Sequence, residues 1–343
     1  MKKLLNTLYV TTPDTYLSLD GENIVVLRDA ETLLRVPLLN LEAVVTFGYT
    51  GASPALMGAC AERGIALTFM TASGHFLADV AGDRQGNVLL RRTQYRVADD
   101  ESASVKIARN MIAAKLHNSR WVIERAVRDH ELRIDAARVQ AAARAIANAI
   151  PPAREAESPG VLRGVEGEAA QRYFSVFDEM ILQNKSDFYF KSRSRRPPMD
   201  NLNALLSFAY SLLANDCAAA LCGVGLDPYV GFLHRDRPGR KSLALDLTEE
   251  LRAVFADRFV LTLVNNRKID ASAFKTQESG AVLLKDEARR EFLAAWQARK
   301  RETITHPYLS EKIEWGLVPH AQSLLLARHL RGDLDEYPPF LWK

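Results

Sequence analysis

The sequence has little of several features that mark specialised classes of protein. Only three of its 343 residues are cysteine, a sparse and odd number that argues against a disulfide framework. No uninterrupted apolar stretch suggests a membrane span, and residues 1–5 are not followed by the small-residue cleavage site of a signal peptide. We therefore expect a cytoplasmic protein that does not associate with a membrane.

A strong charge of one sign is also missing. The formal net charge is only +3, so any surface that binds nucleic acid has to be local. Cys217 and Cys222 stand in an apolar stretch without the close pairing of zinc sites, and we expect both to be buried thiols. Hydrophobic residues make up 48% of the chain, which is ordinary for a folded protein. The length predicts two domains, because single cores rarely grow beyond about 250–300 residues.

The first hundred residues are dominated by β-prone runs. Residues 16–19 and 24–27 flank a short loop that contains Asp20 and Gly21, and this pattern predicts a β-hairpin. A helix is predicted over 54–63, because Gly64 is a favoured residue just past a helix end. We interpret His75, in a predicted turn, as structural. Further strands are predicted at 34–39, 43–47, 66–70 and 86–90.

The pattern changes near residue 99, beyond which apolar residues recur three and four positions apart in Ala-rich and charged segments. Pro151 is expected to end the second of these helices. The sequence therefore predicts an α+β protein, with an N-terminal β-rich, β-sandwich-like domain over 1–97 and a larger all-α domain over 98–343. Helices are predicted at 106–128, 134–150, 160–183, 201–221, 243–259, 285–302 and 308–329.

Three segments of the helical half carry residues suited to metal chemistry. Glu166 stands between Gly164 and Gly167, and each helical glycine costs about 1 kcal/mol relative to alanine. The small neighbours would let a metal ion or a phosphate backbone approach the carboxylate. A tolerated irregularity near a helix start explains the same pattern.

The second segment is a predicted loop that contains His234. Four cations follow this histidine within seven residues, a density that suits a phosphate-binding rim. An exposed or structural histidine is the simpler explanation. A kinase catalytic loop is excluded, because no asparagine stands five residues after Asp236 and no glycine-rich loop exists elsewhere. The four cations are Arg235, Arg237, Arg240 and Lys241.

The third segment is a predicted helix on which Asp246 stands three residues before Glu249 and four before Glu250. Like charges at this spacing repel, and a divalent cation would turn the repulsion into attraction. A solvated acidic face balanced by Arg252 is the alternative. The pattern leaves open which of the three acids would touch an ion.

A further basic stretch follows three aromatic residues at 188–190. Cations beside aromatic rings suit a nucleic-acid backbone with exposed bases, although a solvated loop before Pro197 has the same composition. The cations that we interpret as DNA-binding are Arg193, Arg195 and Arg196, and Lys191 precedes them.

Taken together, these segments resemble the CRISPR-associated spacer integrase family, the universal endonuclease of spacer acquisition, and most closely its subtype I-C branch. The order and spacing match over about 90 residues, and the β-then-α layout matches over the whole chain. The segments that carry the resemblance are 162–170 with Tyr173 and Phe174, then 196–200, 203–210, 225–234 and 243–252.

The resemblance implies a divalent metal held by Glu166, His234 and Glu249, with Asp246 as an accompanying catalytic acid. Two carboxylates and one imidazole suit Mg²⁺ or Mn²⁺ better than zinc. The implied reaction is attack by the 3′-OH of incoming DNA on a phosphodiester of the CRISPR repeat. With water as nucleophile, the same site is an endonuclease.

The resemblance also implies partners. These are double-stranded pre-spacer DNA and repeat DNA, a second copy of the chain in a homodimer, a dimer of the small adaptation protein, and in this branch an iron–sulfur exonuclease. Every candidate ligand lies beyond residue 160, so we expect domain 1–97 to serve dimerisation and assembly. A general metal-dependent nuclease, a non-catalytic DNA-binding scaffold and a helical interaction protein are the competing hypotheses.

Overall fold

The computed structural model describes residues 7–29, 31–71, 76–80 and 88–342, so the predictions for His75 and for residues 86 and 87 lie outside the described part. The described residues form two compact units, and the chain crosses between them more than once. The first unit holds the described parts of Met1–Gly86, Leu284–Glu302 and Glu314–Leu317. The second unit holds those of Asn87–Leu283, Thr303–Ile313 and Val318–Lys343.

The first unit contains eight of the described strands, in two four-stranded sheets, with one helix between two of these strands and a second helix from the later segment Leu284–Glu302. The elements up to residue 80 are β1 (Thr7–Val10), β2 (Tyr16–Asp20), β3 (Asn23–Arg28), β4 (Glu31–Pro37), β5 (Ala43–Phe47), β6 (Gly51–Ala52), α1 (Pro54–Glu62), β7 (Ala66–Met70) and β8 (Phe76–Val80). One sheet has the order β1-β5-β7-β8 and the other has the order β4-β3-β2-β6. The predicted hairpin is confirmed, because β2 and β3 pair antiparallel from Tyr16 opposite Leu27 to Asp20 opposite Asn23.

One apolar core joins both sheets and α1, which confirms the mixed α+β class and gives this unit a sandwich-like interior. Leu17 from one sheet, Val44 from the other and Leu56 from α1 are all fully buried in it. Helix α1 begins where the Ser53 side chain accepts a hydrogen bond from the Leu56 amide at 3.2 Å. It ends before Gly64, whose φ of +67° is the left-handed conformation that favours glycine.

The second unit is mostly helical, with short strands near the chain crossings. Contrary to the all-α prediction it contains short strands such as Phe274–Thr276, and the predicted strand at 86–90 is wrong at its described residues, because a helix begins at Val88. The remaining elements, with α9 in the first unit, are α2 (Val88–Asp99), α3 (Glu101–His130), α4 (Ala136–Glu155), α5 (Pro159–Ser175), α6 (Asn201–Gly223), α7 (Ser242–Leu251), α8 (Arg258–Asn265), β9 (Phe274–Thr276), β10 (Val282–Leu284), α9 (Asp286–Lys300), β11 (Thr303–Thr305), β12 (Lys312–Glu314) and α10 (Val318–Leu330).

Several helix ends differ from the prediction. Helix α4 continues past Pro151 and Pro152 to Glu155, so the prolines lie within its last turns. Helix α10 begins only at Val318, because β12 and a 3₁₀ turn occupy the preceding residues. The predicted single helix over 243–259 is divided by a π-helical segment, Arg252–Asp257, between α7 and α8. Such π segments are frequent at functional sites, because they shift the side chains of one turn out of register.

Helix α3 is the central element of this unit, since it packs against α4, α5 and α7. Its Asp100 N-cap accepts hydrogen bonds from the amides of Ser102 and Ala103, and Glu101 in the first turn complements the helix dipole. Fifteen residues of α3 are buried, and Lys115 is among them. This helix therefore carries a charged side chain into the interior, and that charge requires partners there.

Helix α6 is long and apolar enough, by length and composition alone, to cross a membrane, which the sequence analysis did not anticipate. Its packing is that of a core helix, with Leu205, Leu206 and Leu213 fully buried. The prediction that both cysteines of α6 are buried is wrong for one of them. Cys217 is buried, but Cys222 is exposed because it stands one residue before the helix ends at Gly223.

Candidate metal and DNA site

Helices α3, α5 and α7 bring three charged side chains together that are far apart in the sequence. The Nζ atom of Lys115 forms an ion pair with Oε1 of Glu166 and lies 2.7 Å from Oε2 of Glu249. Lys115 and Glu249 are buried, whereas the side chain of Glu166 keeps 24% of its surface exposed. Two of the three predicted ligands thus converge on one cation.

Glu249 is held as a carboxylate inside the protein. Burial alone would raise its pKa, but the charges of Arg252 and Lys115 lower that pKa to about 2. Arg252 donates from Nη2 to Oε1 of Glu249 at 2.6 Å. The other oxygen, Oε2, lies 2.7 Å from the ammonium nitrogen of Lys115.

The Asp246 side chain binds the loop that carries His234. Its carboxylate accepts hydrogen bonds from the amides of Phe232 at 2.7 Å, Leu233 at 3.0 Å and His234 at 3.1 Å. Its Oδ1 atom also lies 2.5 Å from Nδ1 of the His234 ring. Asp246 is fully buried, so this fully engaged carboxylate positions the histidine, whose Nε2 is the ring nitrogen left for another ligand.

The same loop is anchored from two other helices. Gln94 of α2 donates to the carbonyls of Asp227 at 2.7 Å and Val230 at 2.9 Å. Ser104 of α3 donates to the carbonyl of Phe232 at 2.8 Å. The backbone before His234 is therefore fixed at several points, which keeps the imidazole in one place.

Gly231 is required where this loop meets α7. A Cβ atom added there would lie 2.7 Å from Oδ2 of Asp246 and 2.9 Å from the carbonyl carbon of Ser242. Real Cβ atoms essentially never come this close to another atom. A larger residue would therefore push the aspartate off the amides that it holds.

Glu250 belongs to a separate network. It accepts hydrogen bonds from the Tyr337 hydroxyl at 2.6 Å, the Gln322 amide at 3.0 Å and the Phe340 amide at 2.8 Å. Burial raises its pKa to about 8, against the effect of those hydrogen bonds. Of the three acids that the sequence left open, only Glu249 shares a cation with Glu166.

The donor set fits a divalent ion, although no ready cluster of three His, Cys, Asp or Glu side chains occurs among the described residues. Oε2 of Glu249 and Oε1 of Glu166 meet the same ammonium group, so the two carboxylates already converge on a single positive charge. His234 lies near enough to interact electrostatically with Glu249. Two carboxylates and an imidazole are donors that Mg²⁺ and Mn²⁺ accept.

The predicted DNA-binding cations fall into two groups. Arg235, Arg237, Arg195 and Arg196 are at the surface, and Arg240 and Lys241 are half-buried. Lys241 also lies over the ring of Tyr229 at 5.9 Å. These positions leave several guanidinium groups at the surface of the second unit.

Arg193 differs from the other predicted DNA-binding residues. Its guanidinium donates to Asn203 at 2.6 Å and to Ser207 at 3.0 Å, and it stacks over Tyr210 at 5.1 Å. Burial lowers the pKa of this guanidinium. The geometry therefore favours an internal role for Arg193, in which it braces the 191–196 segment against α6.

A small cavity opens beside Lys115 and Arg252, lined among others by Tyr173 and Asp257. Asp257, the last residue of the π-helical segment, accepts hydrogen bonds from Tyr173 at 3.0 Å and from Tyr210 at 2.5 Å. Burial raises its pKa to about 6. The π segment thus carries Arg252 at one end and a buried acid at the other.

Sequence reasoning missed two residues of this site, Lys115 and Gly231, and it named Arg252 only as the cation that balances a solvated acidic face. A signal for the first was present, since Lys115 is a single cation within the apolar helical run 111–116. No sequence signal identifies Gly231, because the close approach of Asp246 depends on the tertiary structure.

The fold is shared with solved structures. A CAS1 protein from Thermotoga maritima superposes with a TM-score of 0.81 at 23% identity, over 95% of this chain and 97% of that one. A casposase bound to integration product superposes with a TM-score of 0.83 at 21% identity, over 98% of this chain and 94% of that one. A chain of a Cas6-RT-Cas1–Cas2 complex superposes with a TM-score of 0.83 at 21% identity, over 100% of this chain and 36% of that one. At these identities the likeness concerns the fold alone.

Relatives in sequence are much closer. "CRISPR-associated endonuclease Cas1 2" of Rhodospirillum rubrum is 52% identical over 347 residues, and "CRISPR-associated endonuclease Cas1 1" of Chlorobaculum tepidum is 48% identical over 343. In both cases the alignment covers 100% of both chains. A "CRISPR-associated exonuclease Cas4/endonuclease Cas1 fusion" of Geobacter sulfurreducens is 34% identical, over 97% of this chain and 60% of the fusion.

The match to a family description covers both units. Residues 8–298 match "CRISPR associated protein Cas1", which is most of the 343-residue chain. This agrees with the full-length relatives, and it confirms the family resemblance stated from the sequence motifs, while the subtype I-C branch stays a prediction. The chain belongs to the Cas1 family of CRISPR-associated proteins.

Proposed function

We propose that the chain is a metal-dependent DNA endonuclease and integrase that inserts new spacer DNA into a CRISPR array. Full-length relatives named as endonucleases support the nuclease part. The observation that carries the site is the convergence of Glu166 and Glu249 on one cation, beside a histidine whose ring is oriented by Asp246. A helical interaction protein would have no reason to bury these charges together.

In this proposal Glu166, Glu249 and Nε2 of His234 hold Mg²⁺ or Mn²⁺. When bound, the ion supplies electrostatic stabilisation of the charge that develops on the scissile phosphate and favours deprotonation of the attacking hydroxyl. Asp246 keeps the His234 ring in the tautomer with a free Nε2 lone pair, which a metal ligand needs. Arg252 holds Glu249 in its ionised form through its hydrogen bond to Oε1.

The nucleophile in integration is the 3′-OH of the pre-spacer strand. It attacks a phosphodiester of the repeat, the new P–O bond forms, and the repeat strand leaves with its own 3′-OH. With water in place of that hydroxyl, the product is a cut strand. No covalent bond between protein and DNA is required, and the protein contributes mainly position and electrostatics.

Surface cations near the His234 loop hold the DNA by its phosphates. Arg235 and Arg237 follow the histidine closely, and Arg240 and Lys241 lie just before the start of α7. Arg195 and Arg196 provide a second group in the same unit. Arg193 supports that group from within through its bonds to α6.

Partners complete the reaction. We propose a cytoplasmic homodimer, associated with a dimer of the small adaptation protein and with an iron–sulfur exonuclease. The Cas1–Cas2 complex among the structural neighbours and the Cas4/Cas1 fusion among the relatives support the two protein partners. The β-rich first unit provides the dimer contact, since the proposed ligands all belong to the second unit.

An integration assay tests the function. A labelled pre-spacer duplex and a repeat-bearing plasmid are incubated with the protein, with and without Mn²⁺ and the small partner protein. We expect joined strands only with both additions. Cut strands without joined strands would favour the general nuclease, and DNA binding without either product would favour the scaffold.

Matched variants test the site in the same assay. Glu166→Gln, His234→Ala and Glu249→Gln are each expected to abolish joining and cutting. Glu168→Gln is the control, because this carboxylate is two residues from Glu166 on α5 and is 71% exposed, in an ion pair with Arg172. Full activity of His234→Ala would show that the proposed ligand set is wrong.

A further inference from the structure

Lys115 is the buried cation that the sequence motifs did not identify. It lies on α3, with 8% of its residue surface exposed, and its ammonium group meets carboxylates from α5 and α7 at once. An ammonium group rarely lies this deep without a specific arrangement of partners.

The two carboxylates need this cation when no other is present. Arg252 donates to Oε1 of Glu249, whereas Oε2 of Glu249 and Oε1 of Glu166 both meet the ammonium group of Lys115. Without Lys115, Oε2 of Glu249 and Oε1 of Glu166 would face each other as neighbouring negative charges at low solvent exposure. Lys115 therefore stabilises the arrangement in which both side chains point at one place.

The ammonium group and a divalent ion would compete for the same oxygens. Nζ of Lys115 is 2.7 Å from Oε2 of Glu249, and Mg²⁺ binds carboxylate oxygens at about 2.0–2.1 Å. An ion bound between these two carboxylates would stand next to the ammonium group, and like charges at this separation repel strongly. The lysine side chain is long and flexible, so it can withdraw when the ion arrives.

We propose that Lys115 is an internal counter-cation of the metal site, which holds Glu166 and Glu249 together in the metal-free protein and is displaced when a divalent ion binds. This inference rests on the proposed metal site. It makes Lys115 a positioning residue that preforms the site and at the same time weakens its affinity for metal.

Binding of Mn²⁺ to Lys115→Met is the first test, measured on the full chain without DNA by the electron paramagnetic resonance signal of free Mn²⁺. Methionine keeps most of the length of the side chain and removes its charge. We expect binding about tenfold tighter than in the wild type, because one competing positive charge is removed. The metal-free variant should also unfold at a lower temperature, and Mn²⁺ should raise its Tm more than that of the wild type.

Lys106→Met is the matched control, since this lysine is on the same helix and is exposed. It should leave Mn²⁺ affinity unchanged. Equal or weaker binding by Lys115→Met, with normal binding by the wild type, would overturn the counter-cation role and leave the metal site intact. Absence of Mn²⁺ binding by the wild type and by Lys115→Met would overturn both the proposed metal site and the counter-cation role. Tighter binding by Lys115→Met, in a protein whose wild type cleaves no DNA, would support the counter-cation role and contradict only the proposed function.

A second measurement uses the wild type and does not depend on the folding of a variant. The protein is treated with an amine-acylating reagent with and without Mn²⁺, and modification of Lys115 is quantified by mass spectrometry. The ion pairs shield this amine in the metal-free protein, so we expect Mn²⁺ to increase its modification while Lys106 stays constant. Unchanged or reduced modification of Lys115 would show that the ion does not displace it.

Discussion

The ring nitrogen Nδ1 of His234 lies 2.5 Å from Oδ1 of Asp246, and the same carboxylate accepts three backbone amides of the loop that carries the histidine. One buried side chain of α7 thereby fixes both the loop and the ring. The pair resembles the carboxylate–histidine arrangement that orients metal-binding imidazoles in many proteins. In the proposed reaction, Asp246 would therefore act indirectly, one helical turn from Glu249.

Replacement of Asp246 by Asn tests this part. The amide oxygen can still accept from Phe232 and Leu233, but the amide nitrogen would face both the backbone amide and Nδ1 of His234. The ring would then accept at Nδ1 and carry its proton on Nε2, which removes the lone pair that a metal needs. We expect Mn²⁺ affinity, measured by titration, to fall about 10–100-fold.

The control for this variant is Asp236→Asn, which removes a carboxylate from the same loop at an exposed position. It should bind Mn²⁺ like the wild type. If Asp246→Asn kept full affinity, the histidine would not depend on this aspartate for its tautomer.

Much of the first unit could be predicted from the sequence. The hairpin of β2 and β3 follows from alternating β-prone runs around Asp20 and Gly21, and α1 follows from Pro54 at its start and Gly64 after its end. Such local signals do not require knowledge of the rest of the fold. The inclusion of α9 in this unit could not be predicted, since it depends on a late return of the chain to the first unit.

The candidate site was predicted only in part, for a physical reason. Glu166, His234 and Glu249 could be proposed as ligands because the segments that carry them resemble those of a known family. The separate roles of the three acids on α7 could not be predicted from the sequence. Asp246, Glu249 and Glu250 differ only in the buried partners that each contacts. The π segment that follows them is likewise set by packing, as the sequence pattern is that of a continuous helix.

The surface arginines after His234 lead to a prediction about salt. Removal of one phosphate contact should reduce the slope of log affinity against log salt by about one unit. We therefore expect the double variant Arg235→Gln/Arg237→Gln to make this slope shallower by about two units for duplex DNA. Filter binding or fluorescence anisotropy over a range of salt concentrations would measure it.

Arg125→Gln/Arg128→Gln is the matched double variant. Both residues are near the C-terminal end of α3, where they form ion pairs with Asp129. They stand about ten residues or more beyond Lys115, so a helix rise of about 1.5 Å per residue places them well away from it. This control should leave the slope unchanged, and an equal slope in the two double variants would assign Arg235 and Arg237 to the solvated surface.

The glycines beside Glu166 lead to a prediction that separates stability from activity. A Cβ atom at Gly164 or Gly167 would meet no atom within 4 Å, so the protein itself does not require glycine there. Alanine at either position should stabilise α5 by about 1 kcal/mol. If a DNA backbone lies against the surface of α5 that these two glycines share, the same change should reduce integration several-fold.

Gly58→Ala is the control for these variants, because Gly58 is an exposed glycine of α1 with equally open surroundings. Denaturant unfolding should show a similar gain for all three variants. Only Gly164→Ala and Gly167→Ala should reduce integration activity. Unimpaired activity of both would indicate that DNA does not approach this face of α5 closely.

Asp257 leads to a prediction about pH. Its pKa is raised from 3.8 to about 6 by burial, so the folded protein binds this proton more tightly than the unfolded chain does. The stability that the protonated group provides is therefore present below about pH 4 and lost as the pH rises through about 6. A shift of about two units corresponds to about 3 kcal/mol. Between about pH 4 and 7, the free energy of unfolding should fall by up to this amount relative to that of Asp257→Asn.

Urea unfolding at several pH values measures this difference. Asparagine at 257 stays neutral throughout, and its amide can still bond the hydroxyls of Tyr173 and Tyr210, which contact the aspartate in the wild type. Asp236→Asn is the control, because it replaces an aspartate at an exposed position, and it should follow the wild-type profile. Parallel profiles for the wild type and Asp257→Asn across this range would mean that the buried carboxyl group does not take up a proton on folding.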